Sequence, residues 1–164
     1  MNGSEIQLKR QHKFIDHLYW NLVLAVPILT ACMAILRNSI FWFVLYAIAF
    51  IALVIVIYRF FCTHCPHYIQ GAKSTKCMFF WGVPKFFKSR PETLNLFDKA
   101  VSIMAPIIMI LLPLNWLIFQ VDLLVIYLLS LAVLCATIRR NECCRCIYFH
   151  CPVNCVPEDI RRQA

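Results

Sequence analysis

Apolar residues run almost unbroken through four stretches of the chain, at positions 18–36, 40–61, 101–119 and 121–138, and no charged side chain interrupts the middle of any of them. Each approaches the roughly 20 residues that a helix needs to cross hydrocarbon. The pattern predicts an all-α integral membrane protein with four transmembrane helices. Pro27, Pro106 and Pro113 fall within the first and third stretches and are expected to interrupt them, freeing backbone carbonyls for neighbouring helices or Ser and Thr side chains to satisfy.

The polar positions between the spans set the expected orientation, because Lys and Arg are retained on the cytoplasmic flanks. Lys9, Arg10 and Lys13 precede the first span. Arg59, Lys73, Lys76, Lys85, Lys88, Arg90 and Lys99 lie between the second and third, and Arg139, Arg140, Arg145, Arg161 and Arg162 follow the fourth. Arg37 alone falls on the other side. Both termini are therefore expected in the cytoplasm of a multi-pass cell-membrane protein, with minimal outer turns at 37–39 and 120–122. Composition agrees: 62% of the residues are hydrophobic and 15% charged, against roughly 45–50% and 25% in soluble domains. The net charge of +8 needs no polyanion to explain it, since the cations follow the topology rule, and nucleic acid is not an expected partner. Leu29-Thr30-Ala31-Cys32 resembles a bacterial lipoprotein processing box. Cleavage there is not expected, because the chain runs almost at once into another span.

The two halves resemble each other at an offset of about 81 or 82 residues. Phe14-Ile15-Asp16-His17 corresponds to Leu96-Phe97-Asp98-Lys99, Pro27 lies near the place of Pro106, and Cys62-x-x-Cys65 corresponds to Cys143-x-x-Cys146. The division is into residues 1–82 and 83–164, two tandem helical hairpins forming a parallel 2+2 pseudo-repeat. Its axis would lie along the membrane normal, so both CxxC motifs face one compartment. In the connecting loop, Met78-Phe79-Phe80-Trp81-Gly82-Val83-Pro84-Lys85-Phe86-Phe87-Lys88 interleaves aromatics with Lys. It reads as a headgroup-layer segment, rings inward and ammonium groups toward anionic lipid.

Ten cysteines are present, and eight of them lie just cytoplasmic of the second and fourth spans. A reducing cytoplasm disfavours structural disulfides, so such a group points to metal binding or redox chemistry. The candidate metal ligands are Cys62, Cys65, Cys77, Cys143, Cys146, Cys151 and Cys155, since CxxC spacing lets two thiolates of one turn reach one ion. Three arrangements fit. Each half could hold its own site: Cys143, Cys146, Cys151 and Cys155 in one, Cys62, Cys65, Cys77 and a His in the other. Alternatively Cys62, Cys65, Cys143 and Cys146 could surround one ion on the pseudo-twofold axis, or the thiols could shuttle soft ions or electrons without a resident metal. Four thiolates suit Zn or an iron-sulfur cluster, and Cys65-Pro66 and Cys151-Pro152 echo the Cys-Pro of ferredoxin ligand runs. His64, His67 and His150 stand beside cysteines, where imidazole could ligate or hydrogen-bond a thiolate. Cys144 remains unassigned. Cys32 and Cys135 lie within spans as small apolar fillers.

Few intramembrane groups are polar (Asn21, Thr30, Cys32, Ser102, Asn115, Cys135 and Thr137), and none is ionised, which counts against a proton-coupled pump or a channel for charged solutes. Three glycines, no serine elbow and no phosphate-binding loop give hydrolytic catalysis no support, and independent enzymatic activity is not expected. The leading expectation is a membrane protein with cytoplasmic Cys-ligated metal centres. It would act as an electron-transfer, sensing or structural subunit beside another membrane or cytoplasmic redox or metal protein, with an oligomer compatible. A first alternative is a soft-metal transporter: Cys32 with the CxxC pairs loosely resembles the thiol relays of mercury-uptake membrane proteins, though the paired intramembrane cysteines of that family are missing. A second is a membrane thiol-disulfide oxidoreductase resembling the four-helix quinone-linked enzymes, which carry CxxC on the non-cytoplasmic side.

Overall fold

A computed structural model describes residues 8–9, 12–69, 74–90, 95–149, 151 and 154–162. Arg10 and Lys73 among the flanking cations, and His150 and Pro152 among the residues singled out near the thiols, lie outside the described residues.

Of the described residues 70% are helical. Helix α1 spans Phe14–Leu36 and α2 spans Ile40–Phe60. A single 3-10 turn at Cys62–His64 leads into the short α3, Pro66–Ile69. Strands β1 (Ser74–Lys76) and β2 (Trp81–Pro84) form an antiparallel ribbon. Then come α4 (Leu96–Leu111), α5 (Leu114–Leu117), α6 (Val121–Asn141), a second 3-10 turn at Cys143–Arg145, and α7 (Glu158–Arg161). Among the described residues four segments are long and apolar enough to cross a membrane: Phe14–Leu36, Ile40–His64, Leu96–Leu117 and Val121–Arg145. The second is the most apolar of them, yet only 6% of its most apolar window is buried. An apolar helix turned outward fits hydrocarbon as its solvent, and Ile48, Ile51 and Ile55 are among its exposed side chains.

Of the three prolines, Pro113 interrupts its span as expected and Pro27 and Pro106 do not. Helices α1 and α4 run unbroken through Pro27 and Pro106, while the third span breaks at Leu112–Pro113. A proline leaves the carbonyl four residues before it without its helical N–H donor, Val23 O for Pro27 and Ser102 O for Pro106; the nearby Thr30 and Ser102 hydroxyls donate to other carbonyls, Val26 O at 2.8 Å and Asp98 O at 2.6 Å. One turn before the break, Ile110 O accepts from Tyr127 Oη of α6 at 2.9 Å.

Helix α1 packs chiefly on α6 and α2 chiefly on α4. The core holds Ala31, Ala34, Ile35, Tyr46, Leu117, Leu123 and Tyr127, with two alanines permitting close approach as small residues do between membrane helices. At the turn end Gln120 Nε2 donates to Ala34 O at 2.9 Å, and Arg37 stands 3.7 Å from Asp122. At the opposite end the chain leaves α2 and α6 in the same way. Phe61 has φ −102°, ψ −52° and Glu142 φ −110°, ψ −54°; each is followed by a 3-10 turn and then by an extended cysteine, Cys65 at φ −74°, ψ 136° and Cys146 at φ −81°, ψ 134°.

The loop after α3 is a folded ribbon, a departure from the purely helical expectation. Gly82 has φ +76°, a conformation that glycine adopts without a Cβ penalty. Tyr58 stacks edge-on with Phe80 at 5.2 Å and donates to Pro84 O at 3.0 Å, and Arg59 lies 5.1 Å from the Phe87 ring. The ribbon is thereby fixed against the end of α2, although Phe86 remains 71% exposed.

Because the Tyr127 hydroxyl is the side-chain donor beside the helix break, Tyr127→Phe should lower stability in detergent by about 1 kcal/mol. A thermal or denaturant unfolding curve unchanged from wild type would deny this bond its role.

Candidate thiol centre and the buried histidines behind it

The chain delivers cysteines of both halves to one end of the bundle. Cys62 begins and Cys65 follows the turn after α2; Cys143 begins and Cys146 follows the turn after α6. Cys77 sits in the bend between β1 and β2. The half-buried Cys65 thiol is pushed up by burial and by the charge that the neighbouring Cys77, Cys146 and Cys151 sulfurs would carry. Cys77, raised mainly by burial, also feels Cys146. Four thiols, two from each half of the sequence, thus share one electrostatic neighbourhood.

Backbone N–H groups oppose that repulsion. Cys65 accepts from His67, Cys77 from Phe79, Phe80 and Met78, and Cys146 from Tyr148, the last at 3.4 Å. In each case the residue two positions on is a donor, as the chain folds back over its own sulfur. Such bonds favour thiolate over thiol, and outer-shell donors of this kind tune metal–sulfur sites. Tyr148, pushed up to about 12 by burial and then by Cys65, Cys151 and Cys146, stays a neutral phenol beside them.

The remaining candidates surround these four. Cys62 is buried and, with Cys65, Cys77, Tyr58, Tyr68 and Thr75, lines a cavity of about 30 Å³, room for a water or a bare ion. Cys143 lies close enough to Cys151 and Cys146 for their charges to interact. Cys155, expected beside Cys143, Cys146 and Cys151, is bonded to Cys144 in a disulfide. Among the described residues, no three Cys, His, Asp or Glu side chains close on one ion-sized point. The ligand set expected for the first half and the one expected on the symmetry axis are therefore not assembled as such. Instead the thiols mix across the halves, because α1 pairs with α6 and α2 with α4.

The histidines serve other purposes. His64 Nδ1 lies 3.1 Å from Phe60 O and its Nε2 3.7 Å from the Asp98 carboxylate, both side chains buried. His67 packs on His12, ring centroids 4.6 Å apart. His12 Nδ1 stands 3.6 Å from Glu142 Oε2, which in turn accepts from Lys9 Nζ at 3.1 Å. Glu142 Oε1 takes Lys9 Nζ at 2.9 Å and Trp20 Nε1 at 3.0 Å, and Lys9 also reaches Asp16 at 3.2 Å. Lys9 N donates to Arg145 O at 2.7 Å, pinning the segment before α1 to the turn that leads to Cys146. His12, Trp20 and Glu142 went unnoticed in the sequence. The available signal was that Glu142 is the single acid directly after the fourth span.

Neither a family model, nor a curated protein, nor a solved structure matches this chain.

His12 and His67 are both lowered to about 4, by burial first and then by each other or by Lys9. The unfolded chain protonates them near 6.5, so between about pH 6.5 and 4 it binds more protons than the folded one. Stability present above that window is lost as pH falls through it, at up to about 1.4 kcal/mol per pH unit for each group. Melting temperature in detergent should fall from pH 6.5 to 4.5, and a His12→Asn, His67→Gln double variant should flatten that slope. An equal slope in both proteins would assign the acid sensitivity elsewhere.

Proposed function

We propose that this multi-pass membrane protein carries one metal–thiolate centre, zinc or iron-sulfur, built jointly by its two halves from Cys65, Cys77, Cys146 and Cys151. The observation that carries the reading is the electrostatic coupling of the Cys65 thiol to Cys77 of its own half and to Cys146 and Cys151 of the other, with the Tyr148 backbone N–H on the Cys146 sulfur at 3.4 Å. Soft ligands of this number select Zn or iron. The sulfurs repel one another as anions, so a cation among them would remove the repulsion and the proton together. Zinc would supply a rigid clip joining the halves; an iron-sulfur cluster would supply a one-electron relay to a redox partner at the membrane surface.

The pseudo-repeat belongs to the same reading. Equal spacing of 81 residues between Cys62 and Cys143, matched turns, and the pairing of α1 with α6 and α2 with α4 support two tandem hairpins about an axis along the membrane normal. The basic flanks support a cytoplasmic thiol end. A soft-metal relay through the bilayer gains less: Cys135 is exposed on α6, and Cys32 packs beside the core as an apolar filler would.

Anaerobic purification in detergent with Fe and Zn analysis and a visible spectrum tests the centre. Wild type should hold stoichiometric metal, Cys65→Ser and Cys146→Ser should each lose most of it, and Cys32→Ser should keep it. Loss confined to the variants of one half would replace the shared centre with separate ones, and metal-free wild type would leave thiol-disulfide chemistry. Orientation is checked independently in intact cells: a membrane-impermeant maleimide should label a Ser39→Cys variant and leave Cys146 unlabelled. The opposite pattern would put the thiol end outside.

A further inference from the structure

The disulfide between Cys144 and Cys155 closes a loop of the chain that contains both Cys146 and Cys151. Those are the two sulfurs that the second half contributes to the shared neighbourhood. One end of the loop, Cys144, belongs to the turn that ends the fourth span; the other, Cys155, begins the segment that runs out to α7. Cys155 N also donates to Cys143 O at 3.3 Å, and its Sγ lies 3.5 Å from Arg139 O, so the bridge rests directly on the end of α6. Within the loop Asn154 donates to Cys146 O at 2.9 Å and to Tyr148 O at 3.0 Å, which gives the loop its shape. The described covalent tie between the loop's far side and the helix is the disulfide itself.

Compartment and exposure sharpen its meaning. The basic flanks assign this end to the reducing side of the membrane, where a disulfide is usually catalytic or redox-sensing rather than a permanent staple. Both bridged cysteines are half-exposed, unlike the buried Cys62, so a reductant reaches them without unfolding the site. The Cys143 thiol adjoins the bridge in sequence.

We propose that Cys144–Cys155 is a thiol-disulfide exchange site for a dithiol reductant, and that its redox state decides whether the second half's ligands stay in the shared thiol centre. In the step, the two S–H groups of the dithiol become one S–S bond, and the Cys144–Cys155 bond becomes two thiols. Two electrons and two protons pass from the dithiol to the protein. Oxidised, the clasp keeps Cys146 and Cys151 against Cys65 and Cys77; reduced, it frees the far side of the loop and Cys155, and the centre releases its ion faster. The release half of this inference rests on the metal-centre reading; the clasp half does not.

The test uses the full-length protein in detergent. In wild type loaded with Zn²⁺, transfer of zinc to a chromogenic chelator should quicken at least tenfold after treatment with a dithiol, and a Cys144→Ser, Cys155→Ser double variant should be fast without any reductant. Equal rates in all three preparations would overturn the control of the centre by the clasp. Alkylation of metal-free protein, with the modified cysteines identified by mass spectrometry, separates the two readings. Unreduced wild type should protect Cys144 and Cys155, and Cys146 and Cys151 should react several-fold faster once the clasp is open. If Cys144 and Cys155 alkylate freely in unreduced protein, or if Cys146 and Cys151 react at one rate in both states, the clasp is wrong whatever the metal result. Should wild type bind no zinc while the alkylation contrast persists, the clasp stands and the metal centre falls.

Discussion

The carboxylate of Glu142 is the joint on which the thiol end depends. It is buried at the end of α6, where an ion without partners would be costly. Two hydrogen bonds from the Lys9 ammonium and one from the Trp20 indole offset that cost, charge-assisted bonds being the stronger kind. The partners come from the segment before α1 and from α1 itself, so satisfying one carboxylate ties the beginning of the chain to the beginning of its last segment. Lys9 continues the tie through its backbone, pairing with the strand-like stretch at Cys146. His12, 3.6 Å from Glu142 without a hydrogen bond to it, presents its ring to His67, whose backbone N–H faces the Cys65 sulfur. A chain of contacts thus runs from Glu142 to a cysteine of each half.

Burial and repulsion then set the chemistry of the sulfurs. Burial holds Cys65, Cys77 and Cys146 toward the neutral thiol, and neighbouring sulfurs push Cys65 and Cys77 further the same way. The backbone N–H groups pull in the other direction. Such a set is inert as separate thiols, since the thiolate is the reactive form, and becomes ionised when a cation compensates all of the charges together. Nucleophilic chemistry at isolated cysteines is the function this environment suits least.

Much of the architecture was legible in the sequence because hydrocarbon imposes a length on each span and the cations mark its ends. The four spans, the minimal turns at Arg37 and Asp122 and the gathering of cysteines at one end all follow from those rules. That the helices run through Pro27 and Pro106 and break at Pro113 did not follow, since the apolar spacing is alike around all three, and the bond from the Tyr127 hydroxyl to Ile110 O beside the break joins residues 17 apart in sequence. The ribbon at Ser74–Pro84 was hidden because aromatic packing against Tyr58 decides it, and its strands are three and four residues long. The distribution of the thiols was hidden for a topological reason: CxxC spacing binds neighbours in sequence, whereas the packing of α1 on α6 brings together neighbours in space.

The two turns at the thiol end, alike in backbone, differ at matching positions. At the position after the second span stands Phe61, and at the matching position after the fourth stands Glu142; His64 is matched by Arg145. In the first half a buried histidine, His64, faces Asp98 of α4, while in the second a buried carboxylate faces Lys9 and His12 before α1. Each arrangement sets charged or ionisable groups from two helices face to face at the thiol end, but with the roles of acid and base exchanged between the helices. Two identical buried acids would repel across a short distance in a low dielectric, whereas an acid on one side and a histidine on the other hold both helix pairs closed without concentrating like charge beside a cluster of sulfurs.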